Sequence, residues 1–482
     1  MGLTETGINR TLFTLDILKR DVLYILPKKN PDASDFSSAR FEPALALSPY
    51  LSEMFNGINN VGLKQAGSNN LYVRGAQSTS GLKSVPAPVL VWDELDEMSK
   101  AAIALGKERA SGKSADQRQD IKISTPTIPE FGIAETFEYS SQSHYFFRCP
   151  SCSKFIKLEL ENLVVTADNL RDKRLLDSYL KCLLCGNKIP HEAKPDFLDY
   201  RKCEWVPSQT DYRIKGYRIP QFYSCFLEPW KIAESVLKAQ FDPFEEKELH
   251  RSKLGLEYVP EGARVLPEEI EACLQNYRNG ERNAESNAIT LGIDQGKWLH
   301  CTIDEWFLPD GTGPDINARA FCRTLKSFKV PTFEELDAFM RTWNIKMCVI
   351  DANPERRKAY EFAMRFKGRV FLCFYNRGLQ GKQINVNTAL STVAVDRTSW
   401  IDVALERFHS KRIALPSNTE VEYKTHIQSL IKENFEDENG NPMAKYIAVD
   451  DDHYAHSRTY SEIAVPLLFT LSTGHTNIKD VL

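Results

Sequence analysis

Short apolar runs that stop abruptly at a turn or a carboxylate set the rhythm of this chain. VLYILP (22–27) and PVLVWDE (88–94) are unbroken and rich in branched residues, the pattern of strands covered on both faces. The stretch between them carries helical and hairpin periodicity. From 145 to 225 the texture changes to short strands, paired cysteines and interleaved aromatics. PWKIAESVLKAQF (229–241) spaces its apolar residues for one face of a helix. The polar run QNYRNGERNAESN (275–287) reads as a linker. A fresh α/β alternation then starts at AITLGID (288–294), with further strands at KMCVID (346–351) and RVFLCFY (369–375). Helices are predicted over FEELDAFMRTW (333–343) and SWIDVALERFH (399–409). No internal repeat interrupts this order.

Length and composition bound the picture without naming a function. At 482 residues the chain is too long for one hydrophobic core, so two or three domains are expected. Hydrophobic content of 42% and charged content of 26% belong to an ordinary globular chain. No run of eighteen apolar residues predicts a membrane span. The opening MGLTETGINRTLFTLDILKRD has no basic region followed by an apolar core, so no secretory signal is expected. Eleven cysteines, seven of them scattered singly, do not form a disulfide framework and point to a reducing cytoplasm. A net charge of −4 excludes coating of nucleic acid by bulk charge, though a local basic groove remains compatible with DNA binding.

Three groups of residues carry chemistry. Cys149-Pro-Ser-Cys152 and Cys182-Leu-Leu-Cys185 form two CxxC turns, and each turn aims two thiolates at one point. Together they make a closed tetrahedral Zn²⁺ site, structural because no coordination position stays open. Gly186 suits the second turn. Next, the apolar strand VLVWDELDEM (89–98) ends in Asp93-Glu94. A carboxylate at a buried strand tip can hold the water shell of a nucleotide-bound Mg²⁺, and its neighbour can orient the attacking water, as in a Walker B strand. A solvated acidic turn is the competing reading. Upstream, Met1-Gly2-Leu3-Thr4 fits only the last positions of a phosphate loop, with Leu3 where lysine would stand. Arg74 and Lys83, flanking GAQSTSG (75–81), read either as phosphate sensors or as parts of a solvated hairpin.

The third group is a set of carboxylates at element ends. Asp294 follows an apolar strand and precedes a hairpin, and Asp351 ends CVID ahead of a helix with basic first turns. Asp452 heads DHYAHSRTYSEIAV, where Asp452, His456 and Tyr460 share one helical face. Acids from a first strand, a later strand and a C-terminal helix are what an RNase H-like nuclease uses to hold two divalent cations about 4 Å apart. Asp450 and Asp451 crowd the third position, which leaves Asp451 open as an alternative to Asp452. His453 and His456 read as groups that orient carboxylates or cap the helix.

Taken in order, VLYILPKKNPDASDFSSARFEPALALSPYL, GAQSTSGLKSVPAPVLVWDELDEM, STPT and the two CxxC pairs resemble the lambda-type large terminase subunit family of tailed bacteriophages. GYRIPQFYS, LGLEY and LGIDQG…VIDANPERRKA…VDRTSWIDVALERF…DDDHYAHS extend the likeness over nearly the whole chain. The resemblance implies an α/β protein: a P-loop-type ATPase domain, incomplete at its N-terminus (1–144), and a zinc-ribbon insertion (145–225). A helical segment and linker (226–287) and an RNase H-like nuclease domain (288–482) follow. It further implies nucleotide binding by Gly2, Thr4 and Asp93, with Asp93 on the ATP-bound Mg²⁺ and Glu94 as catalytic base. Ser124, Thr125 and Pro126 match the motif that couples hydrolysis to movement. Asp294, Asp351 and Asp452 match the nuclease acids, served by Mg²⁺ or Mn²⁺.

The implied function is ATP-driven packaging of double-stranded DNA coupled to endonucleolytic cutting of concatemers. It would act as a homo-oligomeric ring on the procapsid portal, with a small terminase subunit as partner. The setting is the cytoplasm of the infected bacterium, outside the finished virion and away from membranes. One departure stands out: the chain begins inside the phosphate loop and keeps only Gly2 and Thr4 of it, so weak nucleotide binding is expected. The alternatives are a stand-alone RNase H-like nuclease or a decayed prophage remnant without ATPase activity.

Overall fold

The computed structural model describes residues 2–77, 79–83, 85–112, 114–281, 286, 288–307, 319–376, 379, 384–436 and 440–473. Met1 of the phosphate-loop remnant, Ser78 of GAQSTSG, and 282–285 with 287 of the expected linker lie outside the described residues. The chain divides into two compact units, Met1–Tyr258 and Val259–Leu482.

In the first unit, β1 (Val22–Leu26), β2 (Asn59–Asn60), β3 (Leu63–Ala66), β4 (Asn69–Gly75), β5 (Val89–Asp93) and β6 (Gln119–Ile123) form one sheet ordered β2-β3-β4-β1-β5-β6. β1 runs parallel to β4 and β5, and β6 is parallel to β5. Every residue of β1 and β5 is buried, as unbroken apolar strands covered on both faces must be. Helix α1 (Leu3–Asp16) sets Ile8 and Leu15 against Tyr24, Val89 and Val91 on one face. On the other, Leu90 and Trp92 pack with Ala102 of α2 (Lys100–Lys107). The indole fits because α2 has Gly106 there, where an added Cβ would come within 2.3 Å of Trp92 Cη2.

GAQSTSG is not a hairpin. β4 ends at Gly75 and a short helix covers Thr79–Lys83. Arg74 is committed to the backbone carbonyls of Gly62 and Val73, so its guanidinium is spent on holding the β3–β4 edge.

After α3 (Gly132–Glu138), β7 (Ser143–Arg148) pairs with β8 (Phe155–Ile156), β12 (Cys203–Val206) and β13 (Tyr217–Arg218). Beside it, β9 (Leu163–Val164), β10 (Tyr179–Lys181) and β11 (Lys188–Ile189) make a small antiparallel sheet. Helix α4 (Pro229–Ala239) buries Ile232, which shares one core cluster with Phe147, Cys149, Cys182 and, from the segment that follows, Leu249 and Leu254. Residues 226–258 are therefore part of the first unit.

The expected linker differs from what forms. Leu274–Gln275 is a strand, β14, and the Tyr277 hydroxyl, buried, donates toward the carbonyls of Thr324 (2.8 Å) and Ala414 (2.9 Å). Val265, Ile270 and Cys273 sit in a core cluster of the second unit. Polar neighbours mask one anchoring aromatic, which is why QNYRNG reads as solvent-exposed chain.

The second unit is built on a sheet of β14, β15 (Ile289–Gln295), β16 (Leu299–Phe307), β17 (Phe321–Val330), β18 (Met347–Asp351), β19 (Val370–Tyr375), β20 (Ile384–Asn387), β21 (Thr392–Val395) and β22 (Ile413–Pro416). Its order is β14-β22-β17-β16-β15-β18-β19-β21-β20. β16 is antiparallel to β15 and β17, whereas β18 and β19 run parallel to β15. One face is covered by α5 (Phe333–Thr342) and α6 (Arg356–Arg365), whose Leu336, Met340 and Phe362 pack on Leu291, Ile293 and Ile350. The other face carries α7 (Arg397–His409) and α9 (His453–Thr473), which seat Trp400, Tyr460 and Ile463 on Val349 and Phe371. Between these two helices in sequence lie α8 (Val421–Gln428) and the hairpin of β23 (Leu430–Glu436) and β24 (Pro442–Ala448).

α9 lies directly on β15. At Gly292 an added Cβ would fall 1.8 Å from the Ser457 carbonyl oxygen and 2.3 Å from the Ser461 nitrogen. On either side of that contact, Thr290 and Ser461 hydroxyls meet at 2.7 Å and Thr302 and Ser457 hydroxyls at 2.6 Å. Deeper in the interface, fully buried Arg458 of α9 is paired with Asp304 and, at 2.9 Å, with Glu462. Buried charges persist only when matched this way.

Candidate functional site

Two carboxylate centres emerge, one in each unit. In the first, β5 delivers Asp93 to the sheet's edge, buried, and the N-terminus of α1 faces it. Gly2 takes a left-handed conformation (φ 68°) and starts the helix, which places the Thr4 hydroxyl 3.4 Å from Asp93 Oδ1. Tyr24 of β1 donates its hydroxyl to Asp93 Oδ2 at 2.8 Å. Gly7 makes room for that hydroxyl, since a Cβ there would stand 2.8 Å from it. Burial raises the Asp93 carboxyl above its ordinary range, while the Tyr24 and Thr4 hydrogen bonds oppose the rise. Thr4 and Asp93 thus meet at a helix N-terminus, where backbone N–H groups favour anions. A hydroxyl and a carboxylate in contact at such a place suit a phosphate-bound Mg²⁺. Tyr24 was not legible as part of this centre, because in VLYIL it looks like one more buried strand residue.

Glu94 follows in a left-handed conformation (φ 60°), turned outward from the strand end. The backbone N–H of Thr125 reaches its carboxylate. Ser124 and Thr125 leave β6 as a loop that is stitched to the β5 tip: the Ser124 hydroxyl accepts from the Asp96 N–H at 3.1 Å. Asp96 in turn accepts from the Thr127 N–H and hydroxyl, each at 2.9 Å, and from the Ile133 N–H at 2.7 Å. Gly132, with φ 57°, clears the space, since a Cβ there would lie 2.3 Å from Asp96 Oδ1. Asp96 is a residue that sequence reasoning passed over. Its only signal is a second acid three positions after Asp93, which looks like a solvated turn.

Further along the unit, Cys149, Cys152, Cys182 and Cys185 gather their sulfur atoms within 4.8 Å of one another. The two turns are built alike. Cys149 N–H donates to Lys154 O and Cys182 N–H to Asn187 O, both at 2.9 Å. The residue after each second cysteine, Ser153 (φ 60°) and Gly186 (φ 75°), is left-handed. Four thiols converging in two matched knuckles fit a tetrahedral thiophilic ion.

In the second unit, β15 and β18 are parallel with Ile293 beside Ile350, so Asp294 and Asp351 leave the sheet at the same end. Asp294 is buried and accepts from His453 Nδ1 at 2.8 Å, a pairing that raises the His453 imidazole above its ordinary value. Asp351 is pushed up by burial and by the charge of Asp294, while the Asn353 N–H, 3.1 Å from its Oδ1, works against the rise. Gln295 bridges β15 to this end, donating to the Asp351 carbonyl and accepting from the Glu355 N–H.

Asp452, just before α9, is 3.2 Å from His456 Nε2, with Arg397 Nη2 at 4.0 Å. Burial raises its carboxyl, yet the His456 bond and the charges of His456, Arg397 and His453 outweigh that and leave it below the ordinary carboxylate range. His456 Nδ1 lies 3.2 Å from the Tyr375 hydroxyl, and Tyr375 stacks on Tyr460, whose hydroxyl bonds Asp351. The α9 face predicted from Asp452, His456 and Tyr460 is therefore turned toward the two strand-end acids. Asp450 and Asp451 are exposed, and Asp451 folds its N–H back onto Asp450 at 2.8 Å. Two mutually repelling acids at one sheet end, with a third on the adjoining helix, fit divalent cations.

Residues 1–205 match the family model described as phage terminase large subunit gpA, ATPase domain. Residues 1–205 belong to the phage terminase large-subunit family. No curated protein matches the chain. Among solved structures, the HK97 bacteriophage large terminase is similar at 11% identity, covering 96% of this chain and 88% of that one, with a TM-score of 0.47. The large terminase nuclease from thermophilic phage G20c with bound magnesium is 11% identical, covering 42% of this chain and 98% of that one, with a TM-score of 0.26. Within the terminase ATPase domain, the matched span takes in Gly2, Thr4, Asp93, Glu94, Asp96, the Ser124–Thr127 loop and all four clustered cysteines.

Proposed function

We propose that this chain is a DNA-packaging terminase subunit whose first unit hydrolyses ATP and whose second unit cuts DNA with divalent cations. The observation that carries the nuclease half is the convergence of Asp294, Asp351 and Asp452. They leave β15, β18 and the start of α9 in a sheet whose central order β17-β16-β15-β18-β19 and strand senses suit an RNase H-like core. The terminase ATPase match on residues 1–205 supports a packaging role over that of a stand-alone nuclease.

Gly2 and Thr4 at the α1 N-terminus would hold nucleotide phosphate and Asp93 its Mg²⁺, with Glu94 orienting the attacking water. Ser124, Thr125 and Pro126, bound to the β5 tip through Asp96 and Glu94, would carry the change on hydrolysis to the rest of the unit. Bound Mg²⁺ or Mn²⁺ in the second unit would neutralise the scissile phosphate and lower the pKa of a water. There His453 fixes the Asp294 carboxylate, while His456 and Arg397 hold that of Asp452. Cys149, Cys152, Cys182 and Cys185 would hold Zn²⁺ as a structural clamp on the ribbon. A homo-oligomeric ring on the procapsid portal, a small subunit that recruits double-stranded DNA, and the cytoplasm of the infected host complete the reading.

The test is cation dependence. Purified chain should nick supercoiled plasmid in Mg²⁺ or Mn²⁺ and stop when the cation is chelated. Cutting that continues undiminished in chelator would rule out the carboxylate centre as its cause.

A further inference from the structure

Two histidines beside the nuclease acids are not explained by a three-carboxylate centre. His300 of β16 sits directly across the ladder from Asp294, and one ligand atom each of Asp294, His300 and His453 lie within 4.8 Å of one another. The His300 and His453 rings stack at 4.6 Å with only 9° between their planes. His300 is 4% exposed, and its Nδ1 has no hydrogen-bond partner, while its Nε2 lies 3.9 Å from Glu422. Glu422 is itself engaged by Lys329 at 2.7 Å. His426, the third ring of the group, has its Nδ1 occupied by the Tyr454 N–H at 3.3 Å. A buried ring nitrogen left unbonded is costly, and ring nitrogens commonly pay that cost when they serve as metal ligands.

We infer that Asp294, His300 and His453 form an imidazole-containing cation position, which takes a borderline divalent ion such as Mn²⁺, Co²⁺ or Zn²⁺ ahead of Mg²⁺. The inference deepens the nuclease reading and rests on Asp294 as a shared ligand. One carboxylate with two imidazoles is a donor set that first-row transition ions accept, whereas Mg²⁺ prefers oxygen and keeps its waters. Metal–nitrogen and metal–oxygen bonds of about 2.0–2.2 Å need the three atoms to close only slightly. The Asp294–His453 hydrogen bond then holds the pair in place until the ion arrives, and Gly296 gives the ring room: a Cβ there would stand 3.1 Å from His453 Cε1. The centre would be asymmetric, with an all-oxygen side toward Asp351 and Asp452 and a nitrogen side toward β16.

The experiment is Mn²⁺ binding to the full chain, followed by loss of the free-ion electron paramagnetic resonance signal and by nitrogen modulation of the bound ion's spin echo. Wild type should show coordinated nitrogen. His300→Ala and His453→Ala should each weaken the Mn²⁺ site at least ~10-fold, reduce the nitrogen modulation, and lose the preference for Mn²⁺ over competing Mg²⁺. His453, at the half-exposed rim, serves as the variant that folds if His300→Ala does not. Absence of nitrogen coupling in wild type, or unchanged Mn²⁺ affinity in the histidine variants, overturns the inference. Cation-dependent cutting without nitrogen coupling would sink the histidine site and leave the nuclease reading standing. Nitrogen coupling without any cutting would do the reverse.

Discussion

Replacing Gly292 with alanine should disable the second unit's centre without touching any of its acids. Gly292 lies on β15 two residues before Asp294, under α9. The new Cβ would stand 1.8 Å from Ser457 O, 2.3 Å from Ser461 N and 3.0 Å from Ser457 C. All three are helix backbone atoms, so no side-chain rotation relieves the clash. To restore a contact of ~3.5 Å, α9 must retreat by about 1.5 Å, carrying Asp452, His453, His456 and Tyr460 away from Asp294 and Asp351. The Thr290–Ser461 and Thr302–Ser457 hydroxyl pairs break as it moves. Two lost hydrogen bonds at ~1 kcal/mol each and ~1–3 kcal/mol of overpacking give a destabilisation of about 3–5 kcal/mol. That corresponds to a fall of roughly 10 °C in the melting temperature of a unit this size. A displacement on the order of 1 Å at the reacting groups costs about 100-fold in rate. Plasmid nicking in Mn²⁺ and thermal melting of purified Gly292→Ala protein measure both effects. Wild-type cutting together with an unchanged melt would show that α9 is not seated on β15 as described.

The ribbon should hold about one Zn²⁺ per chain, measured by metal analysis of protein purified under reducing, zinc-replete conditions. Cys149→Ser or Cys182→Ser should lower the first unit's melting temperature while plasmid nicking continues, and metal-free wild type would refute the site. Asp96→Ala strips acceptors from two backbone N–H groups and a hydroxyl, so it should cost ~2–4 kcal/mol and free the Ser124–Thr127 loop. Proteolysis of that loop should accelerate, and an unchanged digestion pattern would count against the stitch. Glu94→Gln keeps its shape and loses the charge that orients water, so nucleotide binding should persist while ATP turnover falls. Equal turnover in the two proteins would remove Glu94 from the chemistry.

What could be read from the chain was whatever chemistry shows itself locally. Asp93, Asp294 and Asp351 each end an apolar run, and the CxxC turns announce themselves by spacing, so sequence and structure agree on where these groups stand. Contacts made across the fold leave no such trace. His300 is placed beside Asp294 by hairpin register, and Tyr24 reaches Asp93 from a different strand. β16 went unread as a long strand because LHCTIDEWF carries Asp304 and Glu305, whose burial is answered by Arg458 and Arg323 from other elements. Gly292 looked like an ordinary strand glycine until α9 was laid over it. The linker reading of 275–287 failed for the opposite reason: one buried Tyr277 outweighs its polar neighbours.

The central claim is that metal, acids and cutting belong together in the second unit. Its most direct measurement is plasmid cleavage in Mn²⁺ by the full chain carrying Asp294→Asn or Asp351→Asn, with melting curves recorded beside it. Each asparagine preserves shape and removes the charge that a cation needs, so cleavage should be lost from protein that still melts cooperatively. Folded Asp294→Asn protein that cuts plasmid as fast as the parent would place the chemistry elsewhere and contradict the account.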